Sequence, residues 1–184
     1  MLELIDKALA YAAEKHRDQT RKNVSQTPYI YHSAMTGFYL LARGEVDEQL
    51  VAAAILHDTV EDTEATIEEI EELFGVEVSE MVAHCSEDKS LSWEERKQGQ
   101  IEAIPGLDRR TALVKLADKL QNISCTVRDI EAGRDPFAKS NRGLEKQRWY
   151  FESLVTAFTN RTDMAEEPMF LEFRDKVKQV FADA

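Results

Sequence analysis

The chain has 184 residues, enough for one domain with a sizeable core, and its 43% hydrophobic content excludes a disordered polymer. A net charge of -12 excludes a non-specific nucleic-acid binder, which needs a basic footprint; a small anionic ligand would need a local island of cations or a metal. With only seven glycines and four prolines, and apolar residues recurring at helical periods, the composition points to an all-α protein.

In chain order, Leu4, Ile5, Leu9, Ala12 and Ala13 predict a first helix over 3–17. A polar loop, RDQTRKNVSQTPY, follows, with turn chemistry around Pro28. A second helix covers about 30–43 and ends at Gly44. Asp47 caps a third, whose body LVAAAIL is apolar nearly all round and therefore central. Thr66 with Glu69 forms a capping box that opens a short helix ending at Gly75, and residues 76–85 form another. Ser92 with Glu95 repeats the box for a helix to about 103, which IPGLD breaks. Asp108 caps a long helix through 130, AGRDPF interrupts, and helices over about 140–160 and 168–182 finish the chain, with Pro168 suited to a first turn. No repeat or linker stands out, so one compact helical-bundle domain over 1–184 is expected. The N-terminus lacks a signal peptide's apolar core, no apolar run is long enough for a membrane span, and Cys85 and Cys125 read as small buried hydrophobes. A cytoplasmic protein without membrane or nucleic-acid partners is the expectation.

The chemistry starts at His57-Asp58, directly after the apolar helix. Adjacent imidazole and carboxylate there suit a transition metal; a histidine closing a helix onto a backbone carbonyl is the alternative. In HDTVEDT, a helix continued by one turn puts Glu61 on the face of His57 and Asp62 on that of Asp58. So many acids at a helix C-terminus oppose the macrodipole and call for a cation, unless they simply face water. Asp118 interrupts the apolar stripe of VKLADKL and needs a partner, a metal or a neighbouring lysine. His32, in TPYIYH, stands beside Tyr29 and Tyr31 and is either packed or a ligand.

The order H…HD…D resembles the HD superfamily of metal-dependent phosphohydrolases. HRDQTRK, TPYIYH, AAAILHDTVEDT, FGVEV, SEDKSL, ERK and LVKLADKLQN are similar to the hydrolase domain of the RelA/SpoT alarmone enzymes, most of all to the stand-alone, Mesh1-like small alarmone hydrolases. The likeness runs from about residue 5 to 130, with an echo at Trp149-Tyr150-Phe151. It implies an HD-domain bundle in which His32, His57, Asp58 and Asp118 bind one Mn²⁺, though other divalent transition metals accept such ligands. Glu61 and Asp62 match the motif that handles the attacking water or leaving oxygen. Arg21 and Lys22 match a phosphate-holding pair, Asn122 a nucleotide contact, and Lys146 and Tyr150 a late substrate patch. The implied reaction is hydrolysis of the 3′-pyrophosphate of (p)ppGpp, giving GDP or GTP and pyrophosphate. Adenosine alarmones or NADPH-like nucleotides are alternative substrates, and a non-catalytic nucleotide-binding protein is the alternative class. Nothing here reads the oligomeric state. Since the chain leaves no room for a synthetase domain, hydrolysis alone is expected. Gln26 and Ser33 depart from the family's usual Gly or Glu before the TPYI segment and Pro after the first histidine. Trp93 replaces a cation of some relatives, which would weaken phosphate binding or change base preference.

Overall fold

Cap chemistry decides where most helices begin. The structure, a computed structural model, describes residues 2–21, 26–44, 47–138 and 142–182. Their order is α1 Leu2–Lys15, α2 Ile30–Ala42, α3 Glu48–Leu56, α4 Thr59–Asp62, α5 Ile67–Phe74, α6 Val76–Cys85, α7 Trp93–Ala103, a 3-10 turn Ile104–Gly106, α8 Arg109–Glu131, α9 Gly143–Thr159 and α10 Pro168–Phe181. The fold is all-α, as expected; an isolated antiparallel bridge, Thr20 to Pro28, is the nearest approach to a strand among the described residues. Asp47 Oδ1 accepts the Gln49 and Leu50 N–H groups at 3.1 Å and so starts α3. Ser92 and Glu95 complete a reciprocal box at α7, with N–H···O distances of 3.2 and 2.9 Å. At α5, Thr66 Oγ1 accepts the Glu69 N–H at 3.2 Å, but the Glu69 carboxylate reaches Lys15 at 3.3 Å instead of closing the box. No described helix is long and apolar enough to cross a membrane.

The chain divides into two compact units. The first comprises Met1–Glu87 and Asp108–Gln121, the second Asp88–Leu107 and Asn122–Ala184. In the first, α3 packs against α1, α2 and α6, and all seven of its residues from Leu50 to Leu56 are buried. This is why its sequence has no polar face. Gly37 on α2 allows the closest approach: a Cβ there would lie 2.7 Å from Ile55 Cγ1, and Ile55 is itself buried. Gly37→Ala should therefore cost about 1–3 kcal/mol by overpacking, despite alanine's better helix propensity. Urea unfolding tests this; an unchanged or higher midpoint would show that α2 and α3 part freely.

In the second unit, Phe151, Leu154 and Phe158 of α9 pack with Phe170, Phe173 and Phe181 of α10 into an aromatic core. Arg161 is buried here. Its Nη1 donates to the Ile104 and Leu107 carbonyls, each at 2.7 Å, and Nη2 pairs with Asp163 at 2.8 Å. Arg161 thus adds a charged donor to the carbonyls at both ends of the 3-10 turn, one of which, that of Ile104, also accepts the Leu107 N–H at 3.4 Å.

Candidate metal centre

The centre lies in the first unit and draws on three helices. His32 comes from the first turn of α2, His57 caps α3, Asp58 follows it, and Asp118 comes from α8. The two histidine Nε2 atoms face each other at 3.1 Å. Asp58 Oδ2 is 3.2 Å from His32 Nε2 and 3.1 Å from His57 Nε2, while Asp118 Oδ1 is 3.3 and 3.6 Å from the same two atoms. Both imidazoles are buried.

The outward nitrogens fix the chemistry. His57 Nδ1 lies 2.8 Å from the Ala54 carbonyl, and His32 Nδ1 lies 2.5 Å from Gln121 Oε1. Each contact requires an N–H on Nδ1, so in a neutral ring the Nε2 lone pair faces inward. Two lone pairs and two carboxylate oxygens then converge with no donor between them. Such a set repels itself unless it encloses positive charge. Burial disfavours the charged His57, yet the Asp58 and Asp118 carboxylates prevail and hold its imidazole pKa well above the ordinary range. Burial likewise works against both aspartates. Even so, His57 and His32 keep Asp58 well below the usual carboxylate range, as Lys119 and the two histidines do Asp118. The two carboxylates thus draw positive charge to this point, which a proton on the histidines or a metal ion can supply. His32, His57 and Asp118 offer ligand atoms close enough together to hold a metal ion, and Asp58 adds a fourth oxygen. Two imidazoles and two carboxylates suit a divalent transition metal.

The apolar helix ends at His57-Asp58, and the one-turn continuation to Asp62 is a separate short helix. The His57 ring takes the Ala54 carbonyl and the Thr59 hydroxyl donates to the Leu56 carbonyl at 2.6 Å, so α3 stops and the short α4 starts afresh. Asp58 and Asp62 nevertheless stay together. The Asp62 N–H donates to the Asp58 carbonyl at 2.9 Å, and the Tyr29 hydroxyl reaches Asp58 Oδ2 at 2.6 Å and Asp62 Oδ2 at 3.0 Å. Burial, then the Asp58 and Asp62 charges, push the Tyr29 phenol pKa far upward, so it remains a donor. Glu61 Oε2 accepts the Glu87 N–H at 3.2 Å.

Arg21 lies over the Tyr29 ring, 5.3 Å from its centroid, and is thus brought to the same neighbourhood. Lys22 lies outside the described residues. Asn122, Lys146 and Tyr150 belong to the second unit. There Lys146 pairs with Glu94, while Tyr150 is buried, with its hydroxyl on Gln100 and Lys97 Nζ 5.2 Å from its ring centroid. Gln26 has φ 47°, a left-handed value that glycine takes without strain. Ser33 is fully buried, and its hydroxyl finds no hydrogen-bond partner among the described residues.

Tyr29 and Gln121 were not singled out by sequence. Their spacing was the available signal: Tyr29 precedes His32 by three residues, and Gln121 follows Asp118 by three, each one helical turn away. Gln121→Leu preserves shape but removes the acceptor that orients His32. It should weaken metal affinity about 10–100-fold, as losses of such outer partners do. Metal titration of the stripped protein is the check, and unchanged affinity would show that His32 needs no such anchor.

Residues 8–141 match the HD domain family. The guanosine-3′,5′-bis(diphosphate) 3′-pyrophosphohydrolase MESH1 of Danio rerio is 46% identical over 114 residues, covering 61% of this chain and 63% of that protein. The GTP pyrophosphokinase rsh of Brucella melitensis is 40% identical over 173 residues, 85% of this chain and 23% of that one. A solved structure, described as a metazoan ortholog of SpoT that hydrolyzes ppGpp, superposes with TM-score 0.83 at 33% identity, covering 96% of this chain and 95% of its own. Helical fold and buried His/Asp cluster together define an HD-type hydrolase architecture. The chain belongs to the HD-domain family, in its RelA/SpoT-like branch. It spans a little under two-thirds of the length of the Danio rerio relative.

Proposed function

We propose that this chain is a metal-dependent 3′-pyrophosphohydrolase of guanosine alarmones, converting (p)ppGpp to GDP or GTP and pyrophosphate. The observation that carries the reading is the convergence of the buried His32 and His57 Nε2 atoms with carboxylate oxygens of Asp58 and Asp118. The activities named for the Danio rerio relative and the SpoT ortholog supply the substrate class. Manganese is the metal we assign. When bound, such an ion supplies Lewis-acid charge that eases deprotonation of water near neutral pH and offsets charge growing on phosphate oxygens.

In this reading Asp62, aided by Glu61, takes the proton from the attacking water. The water oxygen bonds to the phosphorus attached at the 3′ oxygen, that P–O bond breaks, and the 3′ oxygen receives a proton. Tyr29 holds Asp62 beside Asp58, so the base stays registered to the ligand cluster. Arg21 and Lys22 hold the pyrophosphoryl group, Arg21 by its fork and Lys22 as a point charge. The two buried cysteines, neither in a disulfide, support a reducing, cytoplasmic setting.

The test is pyrophosphate release from ppGpp by metal-stripped protein reloaded with Mn²⁺, Co²⁺, Fe²⁺ or Zn²⁺. Release that is greatest with Mn²⁺ and abolished by chelation is expected. Folded, metal-loaded protein that releases none from ppGpp overturns the substrate. A panel with adenosine alarmones and NADPH then reveals a different nucleotide.

A further inference from the structure

His16, just past the end of α1, is only 1% exposed, and the chemistry described so far gives it no task. Its ring stacks on that of Tyr29, with centroids 4.6 Å apart and planes 20° from parallel. Its Nδ1 lies 2.9 Å from Gln19 Oε1. Its Nε2 meets no hydrogen-bond partner among the described residues, so packing alone would favour an apolar ring at this position. Burial outweighs Gln19 and the Asp58 and Asp62 charges and holds the His16 pKa below the ordinary histidine range, so the ring is neutral near neutral pH.

Gln19 carries the contact onward. Its Nε2 donates to the Asp62 main-chain carbonyl at 2.7 Å. A carbonyl only accepts, so the amide nitrogen must face Asp62 and Oε1 must face His16. The neutral imidazole therefore carries its N–H on Nδ1, and that N–H fixes which way the Gln19 amide points. With the amide reversed, its oxygen would oppose the Asp62 carbonyl. That carbonyl is the last of α4, and a helix leaves its last carbonyls without helical partners. The main chain ties the same residues together. The Gln19 N–H donates to the His16 carbonyl at 2.9 Å, and the Tyr29 N–H donates to the Gln19 carbonyl at 3.0 Å. Asp62 is thus held at both ends: Gln19 takes its carbonyl, and Tyr29, stacked on His16, reaches its carboxylate at 3.0 Å. All four residues lie in the first unit.

We propose that His16 and Gln19 are positioning residues for hydrolysis, which clamp the main chain of Asp62 while Tyr29 holds its carboxylate. The role rests on the hydrolase reading, in which Asp62 takes the proton of the attacking water. A carboxylate fixed by Tyr29 alone still moves with its main chain at the end of a one-turn helix. Fixing that main chain as well removes the remaining freedom, and a base must keep its distance to the water to well under an ångström. Imidazole serves both contacts at once: its flat face lies on the phenol ring, and its edge N–H orients the amide.

Two substitutions separate this role from simple packing. Gln19→Met keeps the length of the side chain and removes both amide contacts; His16→Phe keeps a stacked ring and removes the N–H. Each should lower kcat for pyrophosphate release from ppGpp by roughly 10–100-fold, the cost of a small misplacement of a reacting group. KM should stay within roughly twofold of wild type, and Mn²⁺ content should be unchanged, because neither residue holds substrate or ion. The double variant should be no slower than the worse single one, since both changes break the same series. Gln19 is half-buried, so Gln19→Met keeps the test open should His16→Phe fail to fold, which circular dichroism establishes. Nitrogen-15 spectra of histidine-labelled wild type give a readout apart from activity, and the His16 proton should reside on Nδ1. A proton on Nε2, unchanged kcat in the folded variants, additive losses, or kcat and metal content falling together overturns the proposal. Wild-type protein that releases no pyrophosphate overturns the hydrolase reading and this role together, whereas active wild type with unaffected variants overturns this role alone.

Discussion

Asp118→Asn should lower metal affinity by more than a hundredfold and reduce turnover with it. Losing an outer hydrogen-bond partner of a metal ligand already costs 10–100-fold, and this change removes a proposed ligand's charge outright. Asp118 works on two fronts: Oδ2 is 2.6 Å from Lys119 Nζ, which turns Oδ1 toward the two histidines at 3.3 and 3.6 Å. Asparagine keeps the shape but presents a neutral amide, so the convergent acceptors lose one of their two negative charges. Stability offers a readout separate from activity. Metal at a hundred times its dissociation constant stabilises a protein by about 2.7 kcal/mol, and a hundredfold weaker site at the same metal concentration leaves about 0.4 kcal/mol. The wild-type melting temperature should therefore rise on adding Mn²⁺ while that of the variant barely moves. A variant with normal metal content and a normal rise would remove Asp118 from the ligand set.

Asp62→Asn should lower kcat by about 10²–10⁴-fold while leaving metal content intact. Asp62 accepts from Tyr29 at 3.0 Å and stands one turn from Asp58, near the cluster without being among the four convergent acceptors. Asparagine can keep the Tyr29 hydrogen bond but cannot take a proton. Glu61→Gln makes a useful companion, because Glu61 Oε2 also receives the Glu87 N–H. A loss confined to Asp62→Asn assigns the base to that residue, and comparable losses in both divide the proton work between them. Turnover within a few-fold of wild type in the double variant would contradict the assignment. Metal analysis of the same samples keeps this result distinct from ligand loss.

What could be read from the sequence follows how local each interaction is. Asp47, Thr66, Ser92 and Asp108 mark helix starts because a cap bonds within three residues of itself. The apolar α3 announced its own burial in the same way. The break at His57-Asp58 follows the reading of a histidine that closes the apolar helix onto a backbone carbonyl, here that of Ala54, with the Thr59 hydroxyl taking the Leu56 carbonyl. The supports of the centre were harder to foresee. Tyr29 reaches Asp58 across 29 residues of sequence, and Gln121 reaches His32 across 89. Neither composition nor periodicity encodes such pairings. Arg161 is a similar case, a charged residue whose burial follows from two carbonyls more than fifty positions earlier.

The interleaving of the two units has a consequence for biosynthesis. The first unit is not a continuous stretch: after Glu87 the chain contributes to the second unit and returns only at Asp108. His32, His57 and Asp58 therefore leave the ribosome well before Asp118 and Gln121. At 5–20 residues per second the 60-residue interval from Asp58 to Asp118 lasts roughly 3–12 s. During it, α3 has emerged without the helix that completes its histidine cluster, and a nascent chain has two imidazoles and one carboxylate where the finished protein has four candidate ligands. The candidate metal centre is thus among the last features of its unit to be completed, and an ion held by all four groups could bind only after α8 has been added.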